Sequence, residues 1–171
     1  MVNLKRIVNS LKHTPVSIQD LRKLVPPKCK VVKLNDLKGK HRSNVFKGVR
    51  GMIVLLPSTV SPQGHYVAIL PRKNHIEYWS SLGNSPAKES TLLHIDEGII
   101  DNLLGRHFIY NRTRLQSGDF KIKTCAMFCV ARMFLSDLKM REFNSLFKSG
   151  MTVSTPDDLI SLMSFMTFQD V

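Results

Sequence analysis

The stretch TCAMFCVARMFLSDL, residues 124–138, decides the fold. From Cys125 onward it is apolar almost all round, which predicts a helix buried in the middle of a domain. Thr124 can cap that helix, and Cys125 then lies in its first turn. Unpaired backbone amides and the helix dipole favour a thiolate at this position, so Cys125 is the candidate nucleophile of the chain.

The elements around the buried helix predict an α+β fold. Apolar side chains recur at helical spacing in residues 3–13, and Ser17 begins a second helix. Continuous or alternating apolar runs predict strands at residues 29–34, 52–56, 65–70, 75–82 and 108–116. Further helices are expected at residues 96–104 and after Thr155. No repeat or linker interrupts this order, so residues 1–171 are expected to form one domain.

The formal net charge of +12 is distributed unevenly along the chain. Residues 1–50 hold 13 Lys and Arg against two Asp, whereas residues 51–171 hold 12 Lys and Arg against 11 acidic residues. We expect this basic, partly helical N-terminal part to bind a polyanion, most commonly nucleic acid. The candidate DNA-binding residues are Lys38, Lys40 and Arg42, through phosphate contacts. Reversing their charges should flatten the salt dependence of binding more than reversal at Lys139 and Arg141.

The three cysteines are expected to be free thiols. Their number is odd, Cys125 and Cys129 are close in sequence, and the N-terminus lacks the apolar run of an export signal. A zinc site would need a second ligand pair at typical spacing, and none is evident, so no metal or other cofactor is expected. No apolar run approaches the ~18 residues that span a bilayer, so no membrane contact is expected.

Three residues, in chain order, suit acyl transfer through a thiol. His65 opens a predicted strand, Gln116 closes a later one, and Cys125 opens the buried helix. His65 would take the thiol proton and later return it to the leaving group. The first-turn amides of the helix, together with the side-chain amide of Gln116, could hold the oxyanion of the intermediate.

A predicted hairpin brings Ser80 to His65. If residues 71–74 form a four-residue loop, Leu70 pairs with His75 and His65 lies opposite Ser80 on the same face of the sheet. We expect the Ser80 hydroxyl to accept a hydrogen bond from Nδ1 of the imidazole. A hydroxyl orients the ring but supplies no counter-charge to it. Glu77 cannot easily replace it, because odd and even residues of a strand face opposite sides.

The blocks GHYVAIL, IEYWSSLG, YNRTRLQS and TCAMFCVARMF resemble conserved segments of the adenovirus-type and SUMO-protease-type cysteine peptidases. The likeness covers about residues 31–135 and is closest to members encoded by virophages and polinton-like viruses. It implies a papain-like, adenain-like α+β fold with a central mixed or antiparallel sheet packed on the buried helix. It also implies His65 as the catalytic base, Gln116 as the oxyanion donor and Cys125 as the nucleophile.

The chain departs from this family pattern at three positions. Tyr66 stands where Trp is usual, and Ala126 stands where Gly is usual and could crowd the oxyanion site. Ser80 stands where an Asp, Asn or Glu completes the triad. The chain then works as a Cys–His dyad, recruits another group, or has reduced activity.

The resemblance implies a viral endopeptidase that matures capsid precursors. Its substrate would be a polypeptide, and its location would be the virion or the host-cell cytoplasm, including virus factories. One alternative shares the chemistry but removes ubiquitin or a SUMO-type modifier from proteins. The other alternative is a basic, nucleic-acid-binding virion protein with a peptidase fold and reduced catalysis.

Overall fold

A five-stranded mixed sheet forms the centre of the molecule. The computed structural model describes residues 4–59, 64–119, 121–148 and 155–168. The strands lie side by side in chain order: β1 (Cys29–Lys33), β2 (Gly51–Leu56), β3 (His65–Pro71), β4 (Ile76–Trp79) and β5 (Phe108–Tyr110). Strands β2, β3 and β4 are antiparallel, whereas β1 is parallel to β2 and β5 is parallel to β4.

Helices cover both faces of the sheet, and β2 and β3 are therefore buried along almost their whole length. The helices are α1 (Leu4–His13), α2 (Ile18–Leu24), α3 (Arg42–Phe46), α4 (Pro86–Leu93), α5 (Glu97–Leu104), α6 (Cys125–Phe134), α7 (Met140–Ser145) and α8 (Pro156–Phe168), with a 3₁₀ helix at Leu34–Leu37. Helix α6 packs on β3 with α2 nearby, and α5 covers the opposite face. The predicted α+β class is therefore confirmed. No helix in the described ranges is long and apolar enough to cross a bilayer.

The strand predicted at residues 108–116 is only three residues long. Asn111 ends it, because its side-chain carbonyl accepts a hydrogen bond from the Thr113 amide at 2.8 Å and so forms a side-chain turn. Gln116 consequently lies in an irregular segment and does not close a strand. The short helices α3, α4 and α7 and the 3₁₀ helix were not predicted from the sequence.

Arg132 ends helix α6 earlier than predicted and joins it to the sheet. The helix stops at Phe134, because the Arg132 guanidinium binds the carbonyls of Leu135 and Leu138 at 2.7 and 3.0 Å. The same side chain donates two bonds to the Glu77 carboxylate of β4, at 2.8 and 3.0 Å. Both charged side chains are buried in this pair. Glu77 therefore faces α6 and is bound there.

Candidate active site

Cys125 is the first residue of α6 and is partly exposed. Thr124 occupies the position before it, but the prediction that its side chain caps the helix is wrong. Its hydroxyl donates instead to the Asp157 carboxylate of α8. The other Asp157 oxygen accepts from the Ser117 amide at 2.8 Å. This connection fixes the segment before Cys125 against α8 and leaves the first-turn amides of α6 unbound by Thr124.

The thiol of Cys125 and the imidazole of His65 form a hydrogen-bonded pair. Burial by itself would raise the pKa of Cys125, but the hydrogen bond and charge of His65, with backbone bonds at Tyr66 and Ala126, lower that pKa overall. Burial likewise opposes the charge on His65, yet the bond to Cys125 and the negative charges of Cys125 and Glu89 raise the pKa of His65. The two shifts have opposite signs and together favour a thiolate–imidazolium pair.

Ser80 lies beside His65, but through a different register and a different nitrogen from those predicted. In the β3–β4 hairpin Leu70 pairs with Glu77, two residues further along than predicted, because Pro71 belongs to the strand. A shift of two residues keeps each side chain on its face, so Ser80 still reaches the ring. Its Oγ is 3.1 Å from Nε2 of His65, which leaves Nδ1 for Cys125.

Glu89 is a candidate functional residue that was not predicted from the sequence. Its Oε1 accepts a hydrogen bond from Ser80 Oγ at 2.6 Å and lies 3.5 Å from His65 Nε2. It belongs to α4, whose start Ser85 caps by accepting from the Lys88 amide. The cap followed by proline at position 86 could have predicted this helix. No local pattern predicts the contact between Glu89 and Ser80, because the packing of α4 sets it.

The turn at residues 80–83 is rigidly held. Gly83 has φ of +69°, and a Cβ there would meet the backbone of Thr113 and Arg114 at 2.8 Å, so only glycine fits this approach. The Asn111 amide donates to the Ser80 carbonyl at 2.7 Å. Asn144 in turn donates to Asn111 at 2.8 Å. These buried bonds fix the position from which Ser80 contacts the imidazole.

Ser81, the next residue, orients Gln116. The Ser81 hydroxyl donates to the side-chain carbonyl of Gln116 at 2.7 Å. The backbone carbonyl of Ser81 accepts from the backbone N–H of Gln116 at 3.0 Å. The side-chain nitrogen of Gln116 donates to the Ile122 carbonyl at 3.0 Å, three residues before Cys125. An amide nitrogen carries two protons, so one proton remains for another acceptor.

The two other positions that differ from the family pattern, Ala126 and Tyr66, are both buried. Ala126 is 1% exposed and belongs to the hydrophobic core, so its methyl group lies away from the solvent side of Cys125. The Tyr66 hydroxyl donates to the Val16 carbonyl at 3.3 Å. Burial, with smaller electrostatic effects of Cys125 and Cys129, raises the pKa of Tyr66 to about 12.

The other cysteines differ from Cys125. Burial, with the charges of Cys125 and Glu89, raises the pKa of Cys129 well above its ordinary value, and its thiol donates to the Tyr66 carbonyl. Burial also raises the pKa of Cys29, against the lowering effects of Arg50 and the Gly51 backbone. All three thiols are free. Among the described residues, no group of three or more His, Cys, Asp or Glu could hold a metal ion.

The predicted DNA-binding residues lie on the surface of the protein. Lys38 and Lys40 are exposed between the 3₁₀ helix and α3. Arg42, also exposed, donates to the Leu104 carbonyl of α5 at 3.1 Å. Arg42 is thus bound to α5, which covers the face of the sheet opposite α6.

A second basic surface lies in a groove of about 1010 Å³ beside β5. The six basic residues that line it are Arg72, Lys73, Arg112, Lys139, Arg141 and Lys148. The two acidic residues of the lining are already paired, Glu77 with Arg132 and Arg72, and Asp137 with Arg50. The other five cations are exposed and form no ion pair with a described residue. We name this surface the basic groove.

Comparison with known proteins adds a viral connection. No protein-family model matches the chain. It is 24% identical over 159 residues to "Uncharacterized protein V9" of the Sputnik virophage, in a match that covers 85% of this chain and 91% of that protein. The central domain of the uncharacterised protein Lpg1148 from Legionella pneumophila aligns with a TM-score of 0.48 and 16% identity, covering 91% of this chain and 96% of that one. In sequence, the chain is thus similar to a virophage protein.

Proposed function

We propose that this chain is a cysteine peptidase of the papain-like, adenain-like type, with Cys125 as nucleophile and His65 as its base. One observation carries the proposal: the partly exposed thiol at the start of α6 is hydrogen-bonded to an imidazole whose far nitrogen contacts Ser80. A structural cysteine needs neither a lowered pKa nor a buried, oriented histidine.

The reaction follows from this pair. The Cys125 sulfur attacks the carbonyl carbon of the scissile bond, and protonated His65 gives its proton to the leaving amine as the C–N bond breaks. His65 then takes a proton from water, whose oxygen attacks the thioester. The carboxylic acid leaves, and the thiolate–imidazolium pair is restored.

The oxyanion would be held by two kinds of donor. Amides in the first turn of α6 point toward the position of Cys125, and the Ala126 amide already bonds its sulfur. The second donor would be the remaining side-chain proton of Gln116, whose orientation Ser81 and Ile122 fix. Removal of one such donor typically costs about 100-fold or more in rate.

We infer a polypeptide of a virus particle as the substrate. Support comes from the family likeness and from the similarity to a virophage protein. The setting would be the virion or the cytoplasm of the infected cell, where free thiols persist.

The test is a cleavage assay with the intact chain on capsid-precursor polypeptides and, separately, on reporters fused to ubiquitin or SUMO. Cys125→Ala should abolish cleavage, whereas the matched change Cys29→Ala in β1 should not. Cleavage confined to the modifier fusions would favour the isopeptidase alternative. Equal cleavage by wild type and Cys125→Ala, or no faster labelling of Cys125 than of Cys29 by an electrophilic thiol probe, would refute the proposal.

A second candidate function is nucleic-acid binding, and the basic groove favours it. The five cations that form no ion pair with a described residue all belong to residues 51–171, whose net charge is only +1. The fold nevertheless gathers them in one groove, where the two acidic lining residues are already paired. Arg112 also lies over the Tyr110 ring, with 5.1 Å between its guanidinium carbon and the ring centroid. Exposed cations around an aromatic residue suit a single strand, whose phosphates and bases they can contact.

Two matched triple variants separate this groove from the N-terminal basic face. One reverses Lys38, Lys40 and Arg42, and the other reverses Arg112, Lys139 and Arg141. Binding of labelled single-stranded DNA is measured by fluorescence anisotropy over a salt series. The slope of log K against log salt should flatten by about 0.7 for each phosphate that the variant no longer neutralises. An unchanged slope in both variants would exclude the two faces as nucleic-acid sites.

A further inference from the structure

The buried carboxylate of Glu89 contacts His65 mainly through the hydroxyl of Ser80. Glu89, Ser80 and His65 are 1%, 0% and 6% exposed, so water does not compete for their hydrogen bonds. Glu89 lies in the first turn of α4, where the helix dipole favours a negative charge. An ionised carboxylate only accepts hydrogen bonds. The proton in the 2.6 Å bond between Glu89 and Ser80 therefore belongs to Ser80.

The donor in the Ser80–Glu89 bond determines which atom donates in the contact between Ser80 and His65. A hydroxyl has one proton, and that of Ser80 is already used in the hydrogen bond to Glu89. In the 3.1 Å contact with His65, Ser80 must therefore accept, and Nε2 must carry the proton. A neutral imidazole carries one proton, so Nδ1 is left with the lone pair, on the side of Cys125.

We infer that Glu89 is a positioning residue that selects the Nε2–H tautomer of His65 through Ser80. The catalytic consequence rests on the proposed peptidase function, since only this tautomer leaves Nδ1 able to take a proton from Cys125. The serine that replaces the usual triad acid is then a relay to a carboxylate on another element. The negative charge of Glu89, 3.5 Å from Nε2, also compensates the imidazolium.

Two substitutions should have unequal effects. Ser80→Ala removes the relay, but the carboxylate remains close enough to bind Nε2–H directly or through one water, so activity should fall about 10-fold or less. Glu89→Gln removes the charge and offers an N–H that can donate to Ser80, which then donates to Nε2 and favours the wrong tautomer. Its loss in kcat/KM should be larger, on the order of 100-fold. Glu89→Asp should recover part of it. Glu97→Gln, the same change at an exposed first-turn position of α5, is the matched control and should be silent.

The direct readout is the tautomer of the neutral ring, measured by long-range ¹H–¹⁵N correlation spectra on the ¹⁵N-histidine-labelled whole chain carrying Cys125→Ala, which removes the thiolate that holds the imidazolium. At a pH where the ring is neutral, His65 should show Nε2–H in this background, and adding Glu89→Gln should shift the ring toward Nδ1–H. A neutral ring with Nδ1–H in the Cys125→Ala chain, or an unchanged tautomer after Glu89→Gln is added, overturns the inference whether or not the intact chain cleaves peptides. The expected tautomer shift, together with an intact chain that cleaves nothing, would support the positioning by Glu89 and overturn the proposed function alone.

Discussion

Replacing Arg132 by methionine should cost about 3 kcal/mol of the free energy of unfolding. The change leaves Glu77 in the core without its main partner, and breaking one side of a buried ion pair typically costs ~3–5 kcal/mol. The lower end applies, because Arg72 still contacts Glu77 at 3.0 Å from a partly exposed position. With a urea dependence of about 2 kcal/mol per M, the midpoint should fall by roughly 1.5 M.

Two further variants test the reasoning by urea denaturation. In Glu77→Met/Arg132→Met no charge is left buried at this contact, so the double variant should be more stable than Arg132→Met alone. Arg50→Met breaks a pair of similar length, 2.7 Å, but on the surface, and should cost under about 1 kcal/mol. A double variant no more stable than the single one would refute the claim that the uncompensated Glu77 carboxylate causes the loss.

Three other outcomes are expected. Iodoacetamide should label Cys125 faster than Cys29 or Cys129 and, because its pKa is lowered, should still do so at a pH where ordinary thiols are protonated; His65→Ala should move this labelling to higher pH. Faster labelling of either other cysteine would contradict the assignment. Asn111→Ala should cost about 1–3 kcal/mol in urea unfolding and slow the labelling of Cys125, because the Ser80 carbonyl loses its donor; a stability equal to wild type would argue against this network. Tyr66→Phe should lose about 1 kcal/mol with the bond to Val16, and an unchanged urea midpoint would count against that bond.

The sequence was sufficient wherever periodicity and local chemistry decide the structure. The apolar runs of β2 and β3 and the all-round apolar surface of α6 place the sheet and its central helix. The face that Ser80 shares with His65 follows from strand alternation, and it survives a register error of two residues. The approach of His65 to Cys125 was expected from the family likeness rather than from spacing.

Contacts between elements that are distant along the chain could not be predicted from the sequence. Glu89 reaches Ser80 because α4 packs at the end of the hairpin, and its own residues do not encode that docking. The Thr124 hydroxyl donates to Asp157 because α8 lies beside it. A threonine directly before a helix would ordinarily cap that helix. Gln116 does not belong to the predicted strand, because the side chain of Asn111 bonds the Thr113 amide and ends the strand at Tyr110. In each case a side chain met a partner that no short window of sequence contains.

His65, which lowers the pKa of Cys125, belongs to strand β3, and the groups on its other side belong to the turn at residues 80–83 and to helix α4. All three elements are translated well before residue 125. Closing such long loops is entropically costly, so these contacts form only as the whole chain collapses. A nascent or truncated chain therefore carries an ordinary thiol in place of an activated one. The lowered pKa of Cys125 is therefore a late product of cooperative folding, since it depends on elements that are far apart along the chain.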